Sequence, residues 1–242
     1  MTLKQIHRHL NTLSPFALQE KWDNSGLIVG ELNREVSQIV LSLDIDEALI
    51  EKAEENTLFI VHHPLIFGKL TQLDFAKYPA NLIEKLILKK HSLIAMHTNF
   101  DKTHLNSYVF EKVLGFKIER QDAFICVAKV DFTYKNLLKH LKDKFNLPTL
   151  KVVGKKEKVT SIALCTGAGA SLIDEVEADC FLTGDIKYHD AMKAMSEDLM
   201  MVDIGHYESE VFFAEILFKE LKVLPILVIM SNSQNPFYNE ML

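Results

Sequence analysis

The sequence predicts an α/β protein of two similar α/β/α lobes with largely parallel sheets. Short runs rich in Val and Ile alternate with amphipathic stretches along the whole chain, the pattern of β-α units laid around a sheet. The two halves run through that pattern in the same order. Polar clusters rich in His, Asp and Glu stand where the apolar runs end, the edge at which open α/β sheets place their ligands. The chain has 242 residues, 48% hydrophobic and 25% charged, enough for two compact lobes. We place them at 1–125 and 126–242, with the C-terminal segment able to pack back on the first lobe.

At the N-terminus, Leu3, Ile6, Leu10 and Leu13 recur at helical spacing. The segment has neither an uninterrupted apolar stretch nor a small-residue cleavage site, so a cytoplasmic protein is expected. Strands are expected at Gln38–Leu43, Leu58–Val61, Ser92–Met96, Thr160–Cys165, Cys180–Thr183, Leu199–Ile204 and Leu224–Met230. Helical patterns lie between them, as in "PANLIEKLILKK" and "YESEVFFAEILFKELK". The repeat sets "IVLSLDIDEALIEKAEENTLFIVHHP" (from Ile39) beside "IALCTGAGASLIDEVEADCFLTGD" (from Ile162). A helix and a strand closing on a histidine follow each, "LIAMHTNFD" and "LMMVDIGHYESE".

Composition narrows the function. The run Val223–Met230 contains Pro225 and falls far short of the roughly 20 residues that cross a bilayer, so it is a core strand and no membrane is involved. Cys126, Cys165 and Cys180 are widely spaced without a C-x-x-C, which fits buried free thiols better than a disulfide framework or a thiolate zinc site. A formal charge of −6, with one basic cluster at Gly154–Lys158 that lacks aromatics, argues against nucleic acid.

The candidate chemistry lies in three clusters. In "FIVHHPLIFG" (Phe59–Gly68), His62 and His63 end a strand at Pro64. Neighbouring imidazoles are more readily shared between two metals than chelated to one, the alternative being histidines that hydrogen-bond to backbone at the strand end. In "GHYESE", His206 and Glu210 are i and i+4 and share a helical face, while Glu208 points elsewhere. In "MHTNFDKTH", Asp101 stands four residues beyond His97, either a hard ligand or an N-cap. These imidazoles and carboxylates suit zinc, iron, manganese or cobalt. They are too many for one catalytic ion with an open position and suit two ions about 3.5–4 Å apart, with Glu210 able to bridge.

Two weaker candidates bear on substrate. In "CTGAGAS", the backbone N–H groups of Gly167 and Gly169 could cradle a phosphate, although the turn is not a complete phosphate-binding motif and packing would explain it equally. In "TGDIKYHDA", Asp185 and His189 are i and i+4 and could orient a substrate or simply begin a helix.

Taken in order, "WDNSGLIVG" (Trp22–Gly30), "HHP", the His97–Asp101 segment, "CTGAGA", "TGDIKYHDA", "GHYESE" and "NPF" (Asn235–Phe237) resemble the NIF-three-like (Ngg-interacting factor) family of YbgI type, often called GTP cyclohydrolase I type 2. The resemblance spans nearly the whole chain. It implies a ring-shaped homohexamer and a dinuclear metal centre of two divalent ions (zinc, iron or manganese) on His62, His63, Asp101, His206 and Glu210. His97 would stand beside the metals as the catalytic, proton-transferring group. The chain resembles the short form, without the domain that longer members insert between the lobes. The implied activity is metal-dependent hydrolysis of a small-molecule substrate, with GTP converted to formate and 7,8-dihydroneopterin triphosphate. A phosphoesterase on the same centre, and a non-enzymatic metal-binding scaffold or partner-binding regulator, are the alternatives.

Overall fold

The computed structural model describes residues 1–231 and 233–238. In chain order the elements are α1 (Leu3–Leu13), β1 (Gly26–Val29), β2 (Gln38–Ser42), α2 (Glu47–Lys52), β3 (Leu58–Val61), α3 (Ala80–Leu88) and β4 (Ser92–Ala95). A helical run follows, made of α4 (Thr98–Phe100), a π-helical turn (Asp101–Leu105), α5 (Asn106–Tyr108) and a second π-helical turn (Val109–Val113). Then come β5 (Arg120–Asp122), β6 (Ile125–Thr133), α6 (Tyr134–Phe145), β7 (Lys151–Val153), β8 (Lys158–Leu164), a 3₁₀ turn (Ala170–Glu175) and β9 (Cys180–Thr183). The chain closes with α7 (Tyr188–Ser196), β10 (Met200–Asp203), α8 (His206–Glu210), α9 (Phe213–Leu221) and β11 (Leu227–Met230).

These elements form two compact units, Met1–Phe100 with Phe213–Leu242, and Asp101–Phe212. The sequence boundary at 125/126 is therefore corrected: that point lies at the start of β6, in a β5–β6 hairpin. The chain passes between units at Phe100/Asp101, within a helical run, and at Phe212/Phe213, where a turn separates α8 from α9.

The first unit carries the sheet β1-β4-β3-β2-β11. Strands β2, β3 and β4 are buried at every residue, which explains their unbroken Val, Ile and Leu content. The core gathers Val40, Ile50, Phe59, Leu82, Leu86 and Leu93, and each such side chain contributes roughly 1.5–3 kcal/mol by leaving water. Helix α1 buries Leu3, Ile6 and Leu10, the stripe its spacing predicts, and is opened by a reciprocal cap between Thr2 and Gln5.

The second unit carries the sheet β5-β6-β8-β9-β10-β7. Its centre, β8-β9-β10, is parallel, but β5–β6, β6–β8 and β10–β7 are antiparallel. This sheet is mixed where the sequence suggested largely parallel strands. The hairpin gave little warning: its two-residue turn puts Ala123 at φ +48°, where Gly, Asn or Asp is the usual signal. Strands β5 and β7 are short and exposed to half-buried.

The internal repeat is longer than the sequence suggested. In each unit a helix and an edge strand precede the β-α-β-α-β core: α1 and β1 in the first, α6 and β7 in the second. β1 runs antiparallel to β4 as β7 does to β10. The three cysteines are buried and free, and among the described residues no helix is long and apolar enough to cross a membrane.

Asp179 joins the starts of β8 and β9. Its Oδ2 accepts from Thr160 N at 2.7 Å, Thr160 Oγ1 at 2.6 Å and Ser161 N at 3.1 Å. Burial pushes this carboxyl up, but the bonds from Thr160 and Ser161 outweigh it and hold it below the usual carboxylate range. The stabilisation is present at neutral pH and is lost as pH falls through that depressed value. Asp179→Asn should lower stability near pH 7 by about 1–2 kcal/mol, a figure kept small because the group is partly exposed. In denaturant melts the gap to the parent should narrow as pH falls below the usual carboxylate range.

Candidate functional site

In the first unit, sheet register brings the polar residues together. β3 pairs with β4 so that Val61 faces Ala95. One step further on, His62 meets Met96, and His62 Nδ1 donates to the Met96 carbonyl at 2.8 Å. β2 pairs with β3 so that Ser42 faces Val61. Two steps further on, Asp44 meets His63, whose Nδ1 donates to Asp44 Oδ1 at 2.8 Å. β1 runs the other way, with Gly26 opposite Ala95, so the loop before it reaches the same edge. There Asp23 Oδ1 accepts from His97 Nδ1 at 2.8 Å.

Asp23 is the hub of this edge. Its carboxylate also accepts from Asn24 N, Ser25 Oγ, Thr98 N and Thr98 Oγ1, and its side chain is closed off from solvent. Burial works against its charge, but the hydrogen bonds from His97 and Thr98 prevail and hold the carboxyl well below the usual range.

One ring nitrogen from each of His62, His63 and His97 lies within 4.8 Å of the others, a grouping able to hold a metal ion. A neutral ring that donates from Nδ1 keeps its lone pair on Nε2, the atom offered to a metal. His62 is 0% exposed and bonds to a carbonyl, which can only accept. Nδ1 therefore carries the proton in that bond.

In the second unit the same logic recurs at the ends of β9 and β10. Thr183 faces Asp203, and two or three steps beyond, Asp185 Oδ2 accepts from His206 Nδ1 at 2.7 Å. His206 Nε2 stands 3.0 Å from Glu210 Oε2 within α8, as the i, i+4 spacing predicts. Glu210, and to a lesser extent Asp185, raise the His206 pKa to about 9 against the opposing effect of burial. Glu210 is buried, at 3% exposed. Gly167, at φ +64°, lies against it, and a Cβ there would run into Glu210 Oε1.

Asp101 is buried and heads the π-helical turn Asp101–Leu105, so it sits inside a helical run and the N-cap reading is set aside. Such turns are frequent at functional sites. Its carbonyl accepts from Asn106 Nδ2 at 3.1 Å, and Asn106 Oδ1 accepts from Thr166 N at 2.7 Å. That chain of bonds ties Asp101 to the turn that carries Gly167. Nearby Cys165 is a thiol: burial pushes its pKa well up, and Asp101 and Glu210 push it further.

The weaker candidates are redirected. Gly167 N donates to Ser209 Oγ at 3.0 Å and Gly169 N to Thr183 Oγ1 at 2.8 Å, so these donors hold the turn together instead of facing a phosphate. Asp185 precedes α7 at φ +54°, off the helical face that carries His189, and it orients His206. His189 is exposed and packs edge-on against Tyr188. Asp23 and Asp44 went unrecognised because their partners are 74 and 19 residues away. The available signal was that each stands at the sheet edge where the histidines lie.

Replacing Asp23 by Asn keeps its shape but turns an amide N–H₂ towards groups that donate. The cost should be on the order of 2–3 kcal/mol. Amide exchange at Thr98 should quicken in the same variant.

Comparison with known proteins agrees with the fold and the motifs. A Campylobacter jejuni protein called GTP cyclohydrolase 1 type 2 homolog is 48% identical over 98% of this chain and 99% of its own. A Helicobacter pylori (strain J99) protein called GTP cyclohydrolase 1 type 2 is 41% identical over 97% of each. Among solved structures, Staphylococcus aureus hypothetical protein SA1388 superposes with a TM-score of 0.87 at 27% identity, covering 99% of both chains. Protein ybgI, of unknown function, shares the fold with a TM-score of 0.86 at 20% identity, covering 98% of this chain and 100% of its own. Coverage this complete leaves no room for an inserted domain. The profile of Duf34/NIF3 (NGG1p interacting factor 3) matches residues 1–236, and the chain belongs to that family.

Proposed function

We propose that this protein is a dinuclear-metal-dependent hydrolase in which His62, His63, Asp101, His206 and Glu210 hold two divalent ions, zinc, iron or manganese, and His97 moves protons. The observation that supports this most directly is that every one of these imidazoles is fixed from behind through Nδ1. The partners are the Met96 carbonyl and the carboxylates of Asp44, Asp23 and Asp185. Such backing orients a ring, sets its tautomer and raises its basicity as a ligand. The nitrogen and oxygen donors suit zinc, iron or manganese.

Ions bound there would supply Lewis acidity and acidify water at neutral pH. Asp44 and Asp185 keep His63 and His206 aimed while substrate exchanges. His97 Nε2 takes up a proton and returns it, and Asp23, ionised by its hydrogen bonds, stabilises the imidazolium in between. The names of the relatives make GTP the first substrate to consider, with GTP and water giving formate and 7,8-dihydroneopterin triphosphate. In the same reading the chain works in the cytoplasm as a homohexamer on a small-molecule substrate.

Elemental analysis tests the ligands. The parent should bind two ions per chain, and Glu210→Gln should lose at least one because a neutral amide is a poorer donor. Glu208→Gln, turned off the His206 face, should keep both; equal loss in the two variants would remove Glu210 from the ligand set.

Formate release from GTP tests the reaction. Metal-loaded protein should release it and metal-stripped protein should not. His97→Ala should turn over about 10²- to 10⁴-fold more slowly with both ions retained. Turnover of a phosphoester with none of GTP would keep the centre and change the substrate. Inactivity across a broad panel, with both ions firmly held, would favour the metal-binding scaffold.

A further inference from the structure

Beside the histidines of the first unit lie two large rings that the proposed chemistry does not use. Trp22 and Phe67 are each 59% exposed, and their ring centroids are 5.8 Å apart at 40°. Each meets His97 edge-on at 75°, with centroids 6.1 Å and 5.8 Å from it. Their loops are pinned in place. Asn24 Nδ2 donates to the Ile66 carbonyl at 2.8 Å, joining the loop of Trp22 to that of Phe67, and Asp23 ties the former to His97 and Thr98.

Two large rings held side by side in water form an exposed apolar patch, a feature that marks an interaction site. Because both rings abut the proton-transferring histidine, whatever lies on them is presented to the His62, His63 and His97 group. We infer that Trp22 and Phe67 form a stacking face for a planar heteroaromatic ring, such as a purine, and so set the substrate class. Aromatic side chains bind flat, delocalised rings through their π faces with little demand on hydrogen bonding. An aliphatic or purely phosphorylated substrate would gain little from this face. The inference rests on the hydrolase reading above but is tested by binding alone.

Trp22 is the protein's single tryptophan, so indole emission reports on this face. The purified full chain, metal-stripped and metal-loaded, is titrated with guanosine, GTP, tripolyphosphate and ribose 5-phosphate. Guanosine and GTP should quench saturably, and the other two should not. Phe67→Ala should weaken guanosine binding about 5- to 100-fold, with Phe67→Tyr restoring it and metal content unchanged in both. Phe67 is exposed, so its loss should leave the thermal melt in place. The inference is overturned if neither purine quenches the folded parent, if Phe67→Ala binds guanosine as tightly as the parent, or if tripolyphosphate alone reproduces the quench. Emission that follows protein concentration instead of ligand would also overturn it, by assigning the face to a second copy of the chain. Quenching by guanosine without formate release would keep the stacking face and reject the reaction; metal-dependent release without quenching would do the reverse.

Discussion

The alignment of β3 between β2 and β4 is the constraint on which the first half of the site depends. Val61 faces Ser42 on one side and Ala95 on the other, and that pairing alone delivers His63 to Asp44 and His62 to Met96. A slip of one residue would turn each imidazole to the opposite face and separate it from its partner. Such slippage is resisted because all three strands are buried at every residue, so that each side chain changing face would have to be repacked in a close-packed interior. The core therefore has a second task besides stability: it holds rings in register.

The second unit reaches a similar end with different residues. Its third parallel strand also closes on a histidine that is followed four residues later by a carboxylate, His206 and Glu210 beside His97 and Asp101. In both units an aspartate from a neighbouring strand end or loop fixes that histidine, Asp185 for His206 and Asp23 for His97. Duplicated architecture has kept this arrangement while the adjacent pair His62 and His63 has a counterpart in Gly184 and Asp185. Gly184 has no room for a side chain, since a Cβ there would lie 2.6 Å from His206 N.

What the sequence discloses depends on how local the cause is. Core strands such as Leu58–Val61 and Cys180–Thr183 are legible because burial on both faces leaves an unbroken apolar run. The His206–Glu210 pair is legible because helical geometry determines it within five residues. Strands β1, β5 and β7 are not, since they are short edge strands, and neither is β6, whose burial alternates and whose turn from β5 is disguised by a positive-φ alanine. Asp23 and Asp44 act through strand pairing, which no spacing along the chain reveals. Gly167 and Gly169 show the reverse case: a phosphate-like motif whose donors are spent on Ser209 and Thr183.

The route of the chain between units bears on its synthesis. The second unit is one continuous segment, Asp101–Phe212, and the first is made of the stretches before and after it in the sequence. It can complete its sheet as soon as it has emerged from the ribosome, because all its strands lie within that segment. The first sheet must wait, since β11 pairs with β2 across nearly the whole length of the chain, Leu227 against Gln38. Until then the outer edge of β2 stands open, with buried-type residues and unpaired backbone that invite association with other nascent chains. β11 is thus made after the other strands of its sheet and closes this edge, so a chain halted before it would be more prone to aggregate than one halted within the inserted unit.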